Sequence, residues 1–450
     1  MGSANPELLD VAARIAEMAG PGEQVEAFVA RGTSTSVKAY GGEVESLTQA
    51  SSAGVGVRVI VDHREGFAYA GTLDEGVVLE ALAEARDNAS FGEPDEFNGL
   101  AVPDGVEPAD LELWPEHLAD VPTSDKVAMA LELEAATKGR DPRVSGVRVA
   151  MFSDSLGEGA VATSTGIRAW GRAGTSYLMV QALAVQDGET QIAGGLSVGR
   201  EVTDLSIDEA AADAVLRATR LLGSTKPSTQ RLTLVLEPRM TATILGIVGG
   251  MLNGESVLKG RSPFADRVGE PVASPLLTFI DDPTDPRSLG AEAHDGEGLA
   301  CRRNELVIDG VLQGFLHNTY TGRRSGTAST GSAQRGVAST PGVGAGALAV
   351  APGTGSHEEV LGAVEHGLFV TSMAGLHSGV NPVSGDFSVG VEGLMVTGGE
   401  LAEPIREATI ASTVQRLLLD ISAVGADLEW LPDGTGGVTL VIPDIALSGA

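Results

Sequence analysis

Residues 239–270 read RMTATILGIVGGMLNGESVLKGRSPFADRVGE, and the first half of this stretch decides how the C-terminal region is built. From Met240 to Gly254 the chain carries no charge; Pro238 precedes the run and Asn253-Gly254 closes it. Proline suits the first turn of a helix, and Asn-Gly suits a C-cap. The run predicts a buried helix of about four turns, short of the roughly 20 apolar residues that span a bilayer. Gly246, Gly249 and Gly250 sit within it, and each glycine costs about 1 kcal/mol against alanine in a helix. Three in one helix point to another backbone or a ligand lying close.

Around this helix the chain has 450 residues, enough for two or three domains. Its 42% hydrophobic and 20% charged residues describe an ordinary globular chain rather than a disordered one. The net charge of −31 repels phosphate backbones and anionic lipid, so neither nucleic acid nor a membrane is an expected partner. The single cysteine, Cys301, excludes an intrachain disulfide and fits a reducing, cytoplasmic setting. The start, MGSANPELLD, lacks the basic and apolar regions of a signal peptide.

Outward from the glycine-rich helix, the N-terminal part reads as mixed helices and short strands. Helices are expected at 6–19, 75–88, 124–138 and 206–222, the last opened by the S-x-x-E capping box at 206–209. Strands are expected at 25–30, 34–40, 55–61, 67–70, 144–151, 160–170 and 175–185. Residues 91–117 are acidic, proline-bearing and aperiodic, which marks a linker or surface-wrapping segment. The expected division is an α+β domain at 1–92, a linker at 93–122, a middle α+β domain at 123–225 and a β-rich domain at 226–450. In the last, strand 231–236 precedes the buried helix, helices follow at 357–365 and 409–424, and a strand at 438–442 ends the chain. The fold class is therefore α+β: a mixed N-terminal region, then a mainly antiparallel-β C-terminal domain with a buried glycine-rich helix.

The tail carries a run of spaced motifs: NPVSGDFS at 381–388, GVEG at 390–393, GGE at 398–400, PIREATI at 404–410 and GADL at 425–428. With SPFA at 262–265, Gly269-Glu270, and NTYTGRRS at 318–325, they resemble the TldD/PmbA family across most of the chain. In the TldD type of that family, the helix carries H-E-x-x-x-H and the tail a cysteine, which together hold zinc. Here Leu245, Gly246 and Gly250 stand at the helix positions, and no cysteine occurs near Thr435. Zinc needs nitrogen, sulfur or oxygen ligands and a carboxylate to take a proton from bound water, which leucine and glycine cannot supply. The resemblance therefore implies the PmbA/TldE branch: a chain with no metal and no catalytic residue of its own. It implies a TldD-type partner that binds the zinc, and a shared cleft for peptides or unfolded protein.

Other constellations carry less. His357 and His366 lie roughly two and a half turns apart and so on opposite sides of a helix. The cluster at 292–297, EAHDGE, groups carboxylates around His294 in a turn. The G-x-S-x-G at 195–199 lacks the immediate helix of a nucleophile elbow, and the GVGAGA at 342–347 lacks the βαβ context of a dinucleotide loop. Tyr320, Arg323, Arg324 and Ser325 bring donors to a small-residue loop, where arginine forks suit this chain's own surplus acids, a peptide C-terminus or a partner's acidic edge. His377, Asn381, Ser384 and Asp386 form a second polar set, in a context that also makes ordinary turns. These eight residues are the candidate cleft lining.

The expected function is that of a non-metal-binding PmbA/TldE-like subunit in a heterodimeric, bacterial, cytoplasmic zinc metallopeptidase. Extended peptides would bind it by strand addition. Two other readings stay open: a subunit of an amide hydrolase acting on a small peptide-like metabolite, and a non-enzymatic homodimeric binding protein.

Overall fold

The computed structural model describes residues 6–449. Its first body is one antiparallel sheet built from β1 (Glu23–Tyr40), β2 (Glu43–Val61), β3 (Arg64–Ala70), β4 (Val144–Thr163), β5 (Arg168–Gln186) and β6 (Glu189–Gly199), in the order β3-β2-β1-β4-β5-β6. β1 is a single strand, not the two short ones that the sequence suggested. Residues 31–33, which read as a break, are held in the ladder from both sides, Gly32 facing Ser52 of β2 and Gly157 of β4. A Cβ on Gly32 would lie 3.0 Å from the Leu156 carbonyl oxygen, so glycine here accommodates a close strand rather than a turn. Segments 1–92 and 123–225 thus contribute to one sheet, paired through β1 and β4.

Helices α1 (Pro6–Ala16) and α2 (Glu75–Phe91) cover one patch of this sheet, packing Leu8, Ala12, Val78 and Leu82 on Val25, Val57 and Val59. Helices α3 (Thr123–Gly139) and α4 (Ile207–Arg220) cover another, with Leu133, Ala210 and Ala214 against Phe152, Leu178 and Val180. Each leucine, valine or phenylalanine removed from water contributes about 1.5–3 kcal/mol, and each alanine less. Alanines predominate on the helix faces, which lets the helices lie close to the strands. Residues 92–117 cross between the two halves without regular structure, yet Leu100, Ala101 and Leu113 are buried. The stretch wraps the surface.

The C-terminal region opens with β7 (Gln230–Leu236), α5 (Pro238–Met251) and the short α6 (Gly254–Leu258). Three short strands follow, β8 (Phe279–Asp281), β9 (Asn304–Ile308) and β10 (Val311–Leu312), then α7 (Thr319–Ser325), β11 (Ala333–Gln334), β12 (Gly342–Val343) and β13 (Leu348–Val350). The last part comprises α8 (His357–Gly362), β14 (His366–Ala374), α9 (Leu376–Gly379), β15 (Asp386–Thr397), β16 (Glu400–Thr413), α10 (Val414–Leu419), β17 (Ala423–Val424), β18 (Glu429–Trp430), β19 (Gly436–Gly437) and β20 (Leu440–Ser448).

Strands β16, β15, β14, β7 and β20 form a closed barrel, because β16 also pairs with β20 through Thr409–Ser448, Ile410–Leu447 and Ala411–Ala446. Only β7 and β14 run parallel within it. The helix expected at 409–424 is corrected here. Residues up to Thr413 complete β16, and the helical part shrinks to α10, capped by the Thr413 side chain. The β-branched run Thr409, Ile410, Thr413 favours the strand, and Ile405, Ala408 and Ile410 point into the core. The expected helix at 357–365 ends at Gly362, and the final strand runs later than expected, over β20. A second sheet, β10-β9-β8-β13-β19-β18, lies beside the barrel, and α5 packs between the two.

The N-terminal sheet and the C-terminal region are joined by buried charge. Arg58 makes a bidentate pair with Glu26 (3.1 and 3.0 Å) and reaches Glu297 at 3.6 Å. Arg335 also bonds Glu26 and lies over the Phe28 ring at 5.1 Å. Val337 seats against Gly54 and Gly56 of β2, where a Cβ on Gly56 would come within 2.5 Å of the Val337 carbonyl oxygen.

Candidate functional site

Helix α5 is fixed at its start by Glu237, a buried carboxylate held by Arg217 at 2.6 and 2.9 Å, with Pro238 at the first helical position. Its inner side buries Thr241, Ala242, Ile244, Leu245, Val248 and Met251. The helix ends at Met251, and Asn253 caps the next helix, its Oδ1 accepting from the Glu255 amide, so Asn253-Gly254 is a start rather than the expected stop. Nor is α5 buried all round. Gly246 and Gly250, one turn apart, face outward, and a Cβ on either would meet nothing within 4 Å. Gly249 alone meets the close packing that the sequence pattern implied, with Leu348 Cδ2 2.7 Å from where its Cβ would be.

Gly246 and Gly250 look into a cavity of about 260 Å³ whose other walls are Val343–Gly346, Leu348, Asn253 and the turn at 433–435. Both walls are positioned by hydrogen bonds. Asn253 Nδ2 donates to the Val343 carbonyl at 2.5 Å. The amides of Gly346 and Ala347 donate to Asp281 Oδ1 at 2.9 and 2.8 Å. Across the way, Asp433 Oδ1 accepts from the Thr435 amide at 3.0 Å. The cavity is lined largely by main chain and offers few side-chain functions. Two stretches of it, 342–347 and 433–435, lie far from α5 in sequence; the repeated glycines of the first and the family position of Thr435 were the signals available for them.

The helix positions Gly246 and Gly250 and the tail position Thr435 therefore share one cavity, while Leu245 turns into the core, 2% exposed. A hydrocarbon, two hydrogens and a hydroxyl do not fit a zinc ion, which takes imidazole, thiolate or carboxylate donors. Asp433 is a single carboxylate already used by its own turn. Among the described residues no group of three or more His, Cys, Asp or Glu is placed to hold a metal.

Close to this cavity lies a set of acids. Asp281 is fully buried; burial pushes its carboxyl up to about 6, against the pull of the two amides and of the Asn304 side chain. Asp295 is lifted to about 7 by burial and by Glu297 nearby, although it accepts from the amides of Glu297, Leu299 and Ala333. Glu292 keeps solvent access yet is hemmed in by protein, which lifts its carboxyl to about 7. Glu297 accepts from the Thr319 amide at the start of α7 at 2.8 Å. Burial depresses His294 and raises the Cys301 thiol, so the cysteine is no thiolate. The 292–297 cluster is more than a surface turn: Asp295 and Glu297 organise the loop beneath α7.

The α7 candidates bind their own chain. Tyr320 Oη donates to Asp95 at 2.8 Å and accepts from Arg324 at 2.7 Å, while Arg323 donates to the Leu100 carbonyl at 2.8 Å. Together they fasten the crossing segment to the C-terminal region. Ser325 is exposed in the last turn of α7. The tail candidates lie exposed between β14 and the first residue of β15, Asp386. Asn381 Oδ1 accepts from the Val383 and Ser384 amides, and Ser384 Oγ donates to Asp386 at 2.7 Å; His377 is exposed on α9. None of the eight lines the α5 cavity.

A His-Thr-Asp arrangement sits beneath α8. Thr439 Oγ1 donates to Asp427 at 2.5 Å and lies 2.9 Å from His357 Nδ1. With Thr439 wholly buried, the trio is a clamp between strand and loop, not a nucleophile. Ser197 of the G-x-S-x-G is likewise occupied, accepting from the Ser206 amide ahead of α4.

Against known proteins, family models of the PmbA/TldA metallopeptidase match in three consecutive parts: domain 1 at residues 25–89, the central domain at 116–222 and the C-terminal domain at 229–449. Metalloprotease PmbA of Escherichia coli O157:H7 is 27% identical over 433 residues, covering 96% of this chain and 93% of that one. A metalloprotease TldD homolog of Haemophilus influenzae is 25% identical over 88% of this chain and 86% of its own. Two solved structures share the fold. A candidate modulator of DNA gyrase from Thermotoga maritima superposes with a TM-score of 0.89 at 24% identity, over 98% of this chain and 100% of that one. TldE from Thermococcus kodakarensis gives 0.87 at 23% identity, over 95% and 97%. With its three parts matched in order from residue 25 to residue 449, this chain belongs to the PmbA/TldD metallopeptidase family.

Proposed function

We propose that this chain is the subunit without metal in a heterodimeric peptidase, paired with a TldD-type chain that holds the zinc. The observation that carries the reading is the cavity at α5. Gly250 and Thr435, which stand at two of the ligand positions expected of a TldD-type chain, meet there with Gly246, which stands at its glutamate position, and leave a space walled largely by main chain. A surface of glycine backbone with few side-chain functions suits an extended peptide of varied sequence, recognised through its own N–H and C=O groups. The chain thus shapes a cleft for peptides or unfolded protein and leaves bond cleavage to its partner.

The test is the zinc content of the chain purified alone and purified together with a TldD-type protein from the same genome, with peptide hydrolysis followed in both. Zinc and hydrolysis only in the pair uphold the reading. Stoichiometric zinc on the isolated chain, or peptide cleavage by it, overturns the reading.

A further inference from the structure

A second cavity, of about 380 Å³, opens where the end of β6 meets the C-terminal region. It is lined by Val198, Gly199, Arg200, Asp204, Leu289 and Trp430, among others. Arg200 is half-buried and donates to two carbonyl oxygens, Ser288 at 2.8 Å and Gly174 at 3.4 Å. It has no carboxylate partner among the described residues, in a chain whose acids outnumber its bases 61 to 30. Asp204, the acid in the lining, turns its Oδ2 to the amides of residues 200 and 201. Arg287 on the rim is already matched by Asp285. An unmatched, partly desolvated guanidinium with N–H donors to spare, beside a half-buried indole, is a receptor for a carboxylate joined to an apolar or planar group.

We infer that this cavity binds the C-terminal carboxylate of a peptide on Arg200, with the terminal side chain against Trp430 and Leu289. The overall charge of −31 narrows the ligand further. A polyanion is repelled before it arrives, so the preferred guest carries its carboxylate locally and is neutral or basic overall. The turn that follows Trp430 also forms a wall of the α5 cavity through Asp433, Gly434 and Thr435, so the two spaces flank one hairpin. The site lies wholly within this chain and stands or falls separately from its pairing with a zinc subunit.

The probe is a neutral tripeptide with an aromatic C-terminal residue, offered as the free acid and as its C-terminal amide. Binding to the isolated chain is followed by calorimetry and by tryptophan emission, with Trp430→Phe identifying the indole that responds. The free acid is expected to bind about tenfold or more tighter than the amide. Arg200→Gln should abolish that preference while leaving the unfolding temperature within a few degrees, and Arg200→Lys should restore part of it. Equal binding of acid and amide, an unchanged preference in Arg200→Gln, or no binding of either peptide at millimolar concentration overturns the proposal. If Arg200→Gln fails to fold, the emission change must vanish in Trp430→Phe while calorimetry still detects the acid; a change persisting in Trp430→Phe refutes the assigned cavity.

Discussion

Gly246 offers a sharp contest between stability and use. In the middle of α5 its backbone is helical, and an added Cβ meets nothing within 4 Å. Replacing it with alanine removes the backbone entropy of glycine from the unfolded chain at no steric cost, a gain of about 1 kcal/mol. Gly250, in the last turn of the same helix, should give roughly half as much. The pair should raise the unfolding temperature by about 2–4 °C for a unit the size of the C-terminal region. Gly437 is the opposite case: its Cβ would lie 1.9 Å from the Pro238 carbonyl oxygen, so the start of α5 must move. Gly437→Ala should cost about 3 kcal/mol or more. Urea unfolding of the isolated chain measures all three. If the cavity serves the complex, Gly246→Leu should reduce peptide hydrolysis by the co-purified pair while the chain remains as stable as before. Destabilisation by Gly246→Ala would refute the open face of α5, and unchanged hydrolysis with Gly246→Leu would refute its use as the cleft.

Three more outcomes follow from the buried groups. Burial holds the Asp281 carboxyl near 6 in the folded chain, above its ordinary 3.8, so the folded state keeps this proton longer than the unfolded state does. The associated stability is complete below about pH 4 and is lost as pH rises through 6; Asp281→Asn should flatten the stability profile over that window and gain about 1–3 kcal/mol at pH 7. Parallel profiles for variant and parent would count against it. Glu26→Gln leaves Arg58 and Arg335 buried without their common partner, and chemical denaturation should register a loss of about 3–5 kcal/mol. Tyr320→Phe combined with Arg323→Ala removes the bonds to Asp95 and Leu100, so limited proteolysis should cut residues 93–101 faster, with about 1–2 kcal/mol lost on unfolding.

How much of this was written in the sequence depends on the range of the interaction. Pro238 and the uncharged run after it announced α5, and Ser206 with Glu209 announced α4, because caps and helical periodicity are local. The open face of α5 was not legible: glycine in an apolar run reads as core, and the wall that leaves it open comes from residues 343–346 and 433–435. Likewise Thr409 to Thr413 reads equally well as the first turn of a helix. Pairing with β20, more than thirty residues later, decides for strand and closes the barrel. The role of Tyr320 and Arg323 in NTYTGRRS was undecidable for the same reason, since their partners lie more than 220 residues away, in the crossing segment.

The placement of β1 between β2 and β4 has a consequence for how the chain is born. Its first neighbour follows at once, but β4 begins at Val144. At about 5–20 residues per second, ribosomes need roughly 5–20 s to make the intervening stretch. For that interval the hairpin of β1 and β2 waits with one edge unsatisfied, and Glu26 has Arg58 but not Arg335. The nascent chain therefore passes through a stage in which this 18-residue strand is open to other strands, and a chaperone that holds strand edges should act on it before residue 163 emerges and not after.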